Sequence, residues 1–198
     1  DAQLEPSIIS GAGLTSIIKE GKIGNAAVGK GEWLIIEADE SDGSIVQYEP
    51  EIGLLLNVDK DHQEIDELMD LFSTFKKNTN SLFVVNQSNT LAKTLSANSE
   101  QDFGFENDKA GYNVTNFHQE GFTLSFDIKD QQFKMNAIGQ HSAENACAAV
   151  AVANQIGVDL EICAKSLASY EGIYRRHQIL GQKNGIWVID DYAHNPAK

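Results

Sequence analysis

The sequence predicts an α/β fold: a mostly parallel sheet flanked by helices, carrying a small antiparallel β-meander. Three observations lead there. Unbroken apolar runs, Trp33 with Leu34, Ile35 and Ile36, and then residues 52–58, read as strands covered on both faces, as strands of parallel sheets are. A helix-period stripe follows the second run. Residues 112–137 then change to alternation of apolar and polar side chains, the mark of antiparallel strands with one face on a core.

Taken in order, the run at residues 33–36 is the first strand and that at 52–58 the second. Over residues 64–78, Ile65, Leu68, Met69, Phe72 and Phe75 recur at spacings of three and four, which lays an apolar stripe on one face of a helix. Lys76 and Lys77 suit its C-terminal end, where the backbone dipole is negative. "SLFVVN", residues 81–86, reads as a third buried strand, with a short helix near 90–95. In the meander, Val114 and Phe117, then Phe122, Leu124, Phe126 and Ile128, then Phe133 and Met135 mark three strands, with turns at 119–121 and 129–131. Ser142 is expected to cap a helix over 143–156 that Gly157 closes, and Asp159 a second helix over 160–170 with Gly172 just beyond. A loop is expected over 171–184, and a last strand over 186–189 runs into "DDYAHNPAK".

Composition narrows the function. The 198 residues carry 29 acidic and 15 basic side chains, a net charge of −14, so the summed field repels a nucleic-acid backbone while leaving room for a nucleotide that brings its own cation. Cys147 and Cys163 both fall in helical segments without a disulfide-framework spacing, which suits a reduced compartment. The longest apolar run, residues 146–153, is far too short to span a membrane, and no basic-then-apolar leader is seen, so the expected setting is the cytoplasm.

Charge is not spread evenly along the chain. The first strand ends in Glu37, Asp39, Glu40 and Asp42, and the second in Asp59, Asp61 and His62. Ligands of α/β sheets bind beyond such strand ends, and carboxylates meeting an imidazole there make a first shell for a hard divalent ion, Mg²⁺ rather than a structural Zn²⁺. Glu37 and His62 are the leading ligands; capping of the following turn by these acids is an equal alternative on spacing alone. "YRRH", residues 174–177, offers guanidinium groups to a phosphate or else to the surplus of surface acids. His141 and Asn145 stand near a helix start, either as a purine or phosphate perch or as part of ordinary capping. No glycine loop ending in Gly-Lys-Ser/Thr is present, since "EGKIG" and "GKGEW" lack the hydroxyl residue and read as turns.

Five blocks in this order, "EADESDGS", "NVDKDH", "GQHSAENACAAVAVA", "EGIYRRH" and "DDYAHNP", resemble the Mur ligases, a family of ATP-dependent amino-acid ligases. "EADESD" is similar to the branch that joins L-alanine to UDP-N-acetylmuramate. The resemblance implies a P-loop NTPase-like central domain over residues 1–184, with the start of a C-terminal Rossmann-like domain at 185–198. It implies ATP and Mg²⁺ as cofactors, and UDP-N-acetylmuramate and L-alanine as substrates. Carried over by position, Glu37 and His62 hold the metal, Asn57 and Asp61 line the same pocket, and Asn145 contacts the adenine with His141 beside it. Arg176 reaches the γ-phosphate, and Asp191, at the hinge, touches the ribose. His194 belongs to the same hinge motif without an assigned role. Ser142 departs from the family's second asparagine, and His177 and Gln178 from an aromatic-acidic pair.

Two further expectations complete the reading. The family's phosphate loop would lie upstream of Asp1, so this stretch by itself is expected to be inactive. The alternatives are a sister ligase, for murein tripeptide or of the folylpolyglutamate type, and a non-catalytic module without its phosphate loop. Self-association is not legible in the sequence.

Overall fold

A computed structural model describes residues 2–60 and 64–193. The chain opens with β1 (Ser7–Ile9), α1 (Thr15–Lys19), β2 (Ala26–Ala27) and β3 (Leu34–Ile36), a small sheet in the order β2-β1-β3. β1 and β3 run parallel, with Ser7 opposite Leu34 and Ile9 opposite Ile36. Neither β1 nor β2 was expected, because three and two residues are too few to show a period.

The expectation of a buried strand at 33–36 needs correction. A strand forms, but Leu34 and Ile35 are 53% and 55% exposed. β3 is the outer strand of its sheet, and among the described residues none pairs with its other edge. Its apolar side chains therefore stay open to solvent.

β4 (Ile52–Leu55), α2 (Ile65–Asn78) and β5 (Leu82–Val85) form the parallel unit the sequence predicts. α2 lays Leu68, Phe72 and Phe75 on Leu55, Phe83 and Val85, while Leu82 and Val84 face a second cluster on the opposite side of the sheet. That two-sided cover is what an unbroken apolar run requires. Asp66 and Glu67 in the first turn of α2 and Lys76 and Lys77 in the last complement its dipole.

A parallel bridge from Asn86 to Phe103 joins β5 to β6 (Phe103–Phe105), past a 3₁₀ turn at Ala92–Leu95 where a short helix was expected. β6 in turn runs parallel to β7 (Tyr112–Glu120) over three residue pairs. Six residues suffice to reverse the chain because the overlap is so short. Gly111 passes so near the preceding segment that a Cβ there would lie 1.9 Å from the Glu100 carbonyl oxygen. β7 then pairs antiparallel with β8 (Thr123–Ile128), and β8 with β9 (Gln131–Asn136), so β7 is where the sheet changes direction. The turn between β8 and β9 places Lys129 and Asp130 at φ 48° and 64°, a left-handed pair whose twist matches the strands it joins.

α3 (Gln140–Gln155) and α4 (Leu160–Ala168) cover this meander. α3 meets the sheet through small residues, Ala143, Ala146, Cys147 and Ala151, all at 5% exposure or less, above a stacked pair formed by Phe126 and Phe133. Ser142 is not the cap of α3. The helix starts at Gln140, after Gly139 at φ 82°, and the Ser142 hydroxyl lies inside the first turn donating to the Ile138 carbonyl at 2.7 Å. Asp159 does stand at the start of α4, without a side-chain cap bond. Residues 178–183, expected as loop, form β10 (Gln178–Lys183), which pairs antiparallel with β11 (Ile186–Asp190).

Candidate functional site

The site is assembled from strand ends on one side and from a helix start and a hinge segment on the other. At the end of β3, Glu37 turns toward the loop that follows β1: its Oε2 accepts from the Ser10 hydroxyl and the Gly11 backbone N–H, both at 2.7 Å. Oε1 has no hydrogen-bond partner among the described residues. Asp39 and Asp42 behave differently, since each accepts the backbone N–H two residues on, from Ser41 and Ser44, at 2.8 Å. Hydrogen bonding from Ser44 holds the Asp42 carboxyl below the usual carboxylate range. Within the acidic cluster, then, Asp39 and Asp42 shape the turn and Glu37 faces the site.

A cleft of about 300 Å³ opens past the carboxyl ends of β4 and β5, lined by Leu56, Asn57, Asn86, Ser88, Asn89, Gln140, His141, Glu144 and Asn145. Three residues picked from the sequence, Asn57, His141 and Asn145, meet here. Asn86, Asn89 and Glu144 were missed. Asn89 follows β5 and closes the local turn, its Oδ1 accepting from Ala92 N–H at 2.8 Å and Leu91 N–H at 3.1 Å. Asn86 is 5% exposed, and its Nδ2 donates to Glu144 Oε2 at 3.2 Å. A signal did exist, because polar residues directly after a buried apolar run mark a strand end.

Beneath the cleft sits Asp102, fully buried. It accepts from the Val85 N–H at 2.9 Å, from Gln87 Nε2 at 2.7 Å and from the Ser96 hydroxyl, and so ties β5 and the residues just beyond it to the segment that precedes β6.

The third component is the segment 172–177, folded against the β1–α1 turn. Tyr174 N–H donates to the Gly13 carbonyl at 2.8 Å, and Thr15 N–H to that of Gly172 at 3.2 Å. This docks the segment that carries Arg176 against the loop that also holds Glu37. His177 bridges onward, with its ring 5.2 Å from that of His141 and its backbone N–H donating to Asp191 Oδ2 at 2.7 Å. That hydrogen bond holds the Asp191 carboxyl below its usual range, helped by the charges of His177 and Arg176. Partial burial, and then His177, hold His141 below the ordinary 6.5, against an opposing pull from Glu144 and Asp191. His141 is thus favoured as the neutral imidazole. Contacts run without a break from Glu37 through the 10–13 loop and the 172–177 segment to His141 and the cleft.

His62, Asp61 and His194 lie outside the described residues. Among the described residues, no three His, Cys, Asp or Glu side chains come together as a self-sufficient metal cage. One carboxylate oxygen at a strand end suits instead a hydrated hard cation whose remaining ligands come from a phosphate and water.

A polar cleft beyond parallel strands, completed by a helix start and a neighbouring anchored carboxylate, is the ligand-binding arrangement of an open α/β domain. The Mur ligase middle domain model matches residues 21–153, and the chain belongs to the Mur ligase family. A UDP-N-acetylmuramate–L-alanine ligase of Nostoc punctiforme is 34% identical over 207 residues, taking in all of this chain and 42% of its own length. One from Acaryochloris marina is 33% identical over 211 residues, again with the whole chain and 42% of the relative. Among solved structures, the UDP-N-acetylmuramate-alanine ligase of Thermotoga maritima superposes with a TM-score of 0.84 at 25% identity, covering 98% of this chain and 46% of that one. A murein peptide ligase of Psychrobacter arcticus shares the fold, with a TM-score of 0.72 at 19% identity over 98% of this chain and 47% of its own. The chain spans about two-fifths of the length of the curated relatives it matches. No helix among the described residues is long and apolar enough to cross a membrane.

Proposed function

We propose that this chain is the ATP-binding middle portion of a cytoplasmic ligase that joins L-alanine to UDP-N-acetylmuramate in peptidoglycan synthesis. Residues 1–184 would be the central domain and 185–198 the opening of the next. The observation that supports this most is the continuous run of contacts from Glu37 to the cleft of Asn57, His141 and Asn145, with relatives of that activity aligned over the whole chain.

In this reading Asn145 and His141 receive the adenine, Asp191 the ribose and Arg176 the γ-phosphate. Glu37, with His62, is the ligand set for Mg²⁺, which when bound neutralises phosphate charge. Oε1 of Glu37, which has no hydrogen-bond partner among the described residues, and the fixed Oε2 fit that role, since Mg²⁺ takes one or two protein ligands and completes its shell with water and phosphate. The substrate carboxylate attacks the γ-phosphorus, ADP leaves, and the amine of the amino acid displaces phosphate from the acyl phosphate. Negative charge gathers on the transferring phosphoryl group. Arg176, always protonated and able to grip two oxygens at once, stabilises that charge where it develops.

The test uses the full-length protein with ATP, Mg²⁺, UDP-N-acetylmuramate and L-alanine. Release of phosphate that depends on both organic substrates, and that does not occur when murein tripeptide replaces L-alanine, is the expected result. Turnover with tripeptide alone would transfer the protein to the sister ligases. No nucleotide binding at all would return it to the non-catalytic reading.

A further inference from the structure

Glu144 has no part in the function proposed above, yet among the described residues it is the one carboxylate lining the cleft. It stands one turn into α3, beside Asn145. Both of its oxygens are already placed by side-chain amides: Oε1 accepts from Gln140 Nε2 at 2.7 Å and Oε2 from Asn86 Nδ2 at 3.2 Å. Asn86 is itself buried at the end of β5, so one side of the carboxylate is tied to the sheet rather than left to swing in solvent. A carboxylate has about four lone-pair directions, and two amides leave the others for a ligand.

Two consequences follow for whatever enters. First, a fixed negative charge repels phosphate and offsets the positive end of the α3 dipole, so this end of the cleft takes the base and the phosphates lie toward Arg176 and Glu37. Second, a carboxylate accepts hydrogen bonds and gives none. The 6-amino group of a purine donates to it, while a 6-oxo group faces it lone pair to lone pair.

We infer that Glu144 is a specificity-determining residue that selects 6-amino over 6-oxo purine nucleotides. The inference rests on the cleft being the nucleotide site, and it adds to that reading the group that chooses the base.

The experiment is equilibrium binding of ATP, ITP and purine riboside triphosphate, the last lacking any 6-substituent, to the full-length protein and to its Glu144→Gln and Glu144→Asp variants. The unaltered protein should prefer ATP to ITP by at least about tenfold, with purine riboside triphosphate between them, because a site built to pair a polar group rejects the analogue that cannot pair. Glu144→Gln supplies an N–H donor as well as an acceptor and should bring the ATP-to-ITP ratio close to one. Glu144→Asp keeps the charge but withdraws it, and should keep the order of preference while weakening ATP. A role confined to holding Asn86 would change all three affinities together and leave their ratios alone, which overturns the inference. Equal binding of ATP and ITP by the unaltered protein overturns it without any variant. Failure to bind any of the three nucleotides would instead sink the assignment of the cleft.

Discussion

Replacing Asp102 tests how firmly the cleft is tied to the core. Its side chain is fully buried and accepts from the Val85 N–H, Gln87 Nε2 and the Ser96 hydroxyl. Asp102→Ala strands all three donors. Each buried donor left without a partner costs about 1–3 kcal/mol, partly offset because a buried charge is no longer held out of water, so a loss of about 3–5 kcal/mol is expected. Asp102→Asn should be far milder. Its carbonyl can keep the Val85 N–H, while the Ser96 hydroxyl can rotate and the Gln87 amide can turn over to accept from the new Nδ2. Only reorientation is asked of two adaptable groups, and the expected cost is about 1 kcal/mol. Urea unfolding of the full-length protein, read alongside hydrogen exchange at the Val85 amide, separates the two variants. Asp102→Ala should lower protection at Val85 by about a hundredfold or more, since each 1.4 kcal/mol is a factor of ten. Equal effects of the two variants, or a loss under about 1 kcal/mol for alanine, would refute the account of Asp102 as a satisfied buried acceptor.

Other substitutions divide between stability and turnover. Phe72→Ala, which removes a ring only 6% exposed between α2 and the sheet, should cost about 3–5 kcal/mol of stability in denaturant unfolding with little change in KM for ATP. Glu37→Gln and Arg176→Ala should do the reverse, with kcat lower by about a hundredfold or more and melting temperatures near that of the parent, as phosphate release and a thermal melt would report. Because folding depresses the pKa of His141, the unfolded chain takes up the proton first. The associated stability is therefore present above pH 6.5 and is lost as pH falls through the lower folded value, and His141→Asn should flatten that acid limb in unfolding measured across pH. Burial pushes the Cys147 thiol up to about 12, so iodoacetamide should leave it unmodified in the native protein and alkylate it in urea.

Legibility in the sequence followed burial. β5, α2 and the meander are covered or half-covered, so their periods of two and 3.6 stand out in "SLFVVN", "IDELMDLF" and "FTLSFDI". β10 has no such period: four of its residues are exposed, and its pairing with β11 is set by the reversal at Asn184 and Gly185, both in left-handed backbone. β3 misleads in the other direction, since an apolar run promises cover that none of the described residues supplies. The start of α3 was misplaced because capping signals favour a hydroxyl, whereas Gly139 begins the helix through its backbone alone; a Cβ there would come within 2.8 Å of the His141 ring. Asn57, His141 and Asn145 could be named through the family blocks, and the cleft unites them. Asn86 stands at a strand end that the apolar run before it marks, but its bond to Glu144 joins residues 58 positions apart, which no local pattern encodes.

The alanine-rich face of α3 gives the molecule an unusual lever. With side chains this short, the distance between helix axis and sheet is fixed almost by main chain against strand, leaving no long rotamers to absorb an intruding methyl group. Enlarging Ala146 or Ala151 would tilt the whole rod instead of repacking locally, and its leading end carries His141, Glu144 and Asn145. Variation deep inside the domain can therefore reshape the cleft without touching a single residue that lines it.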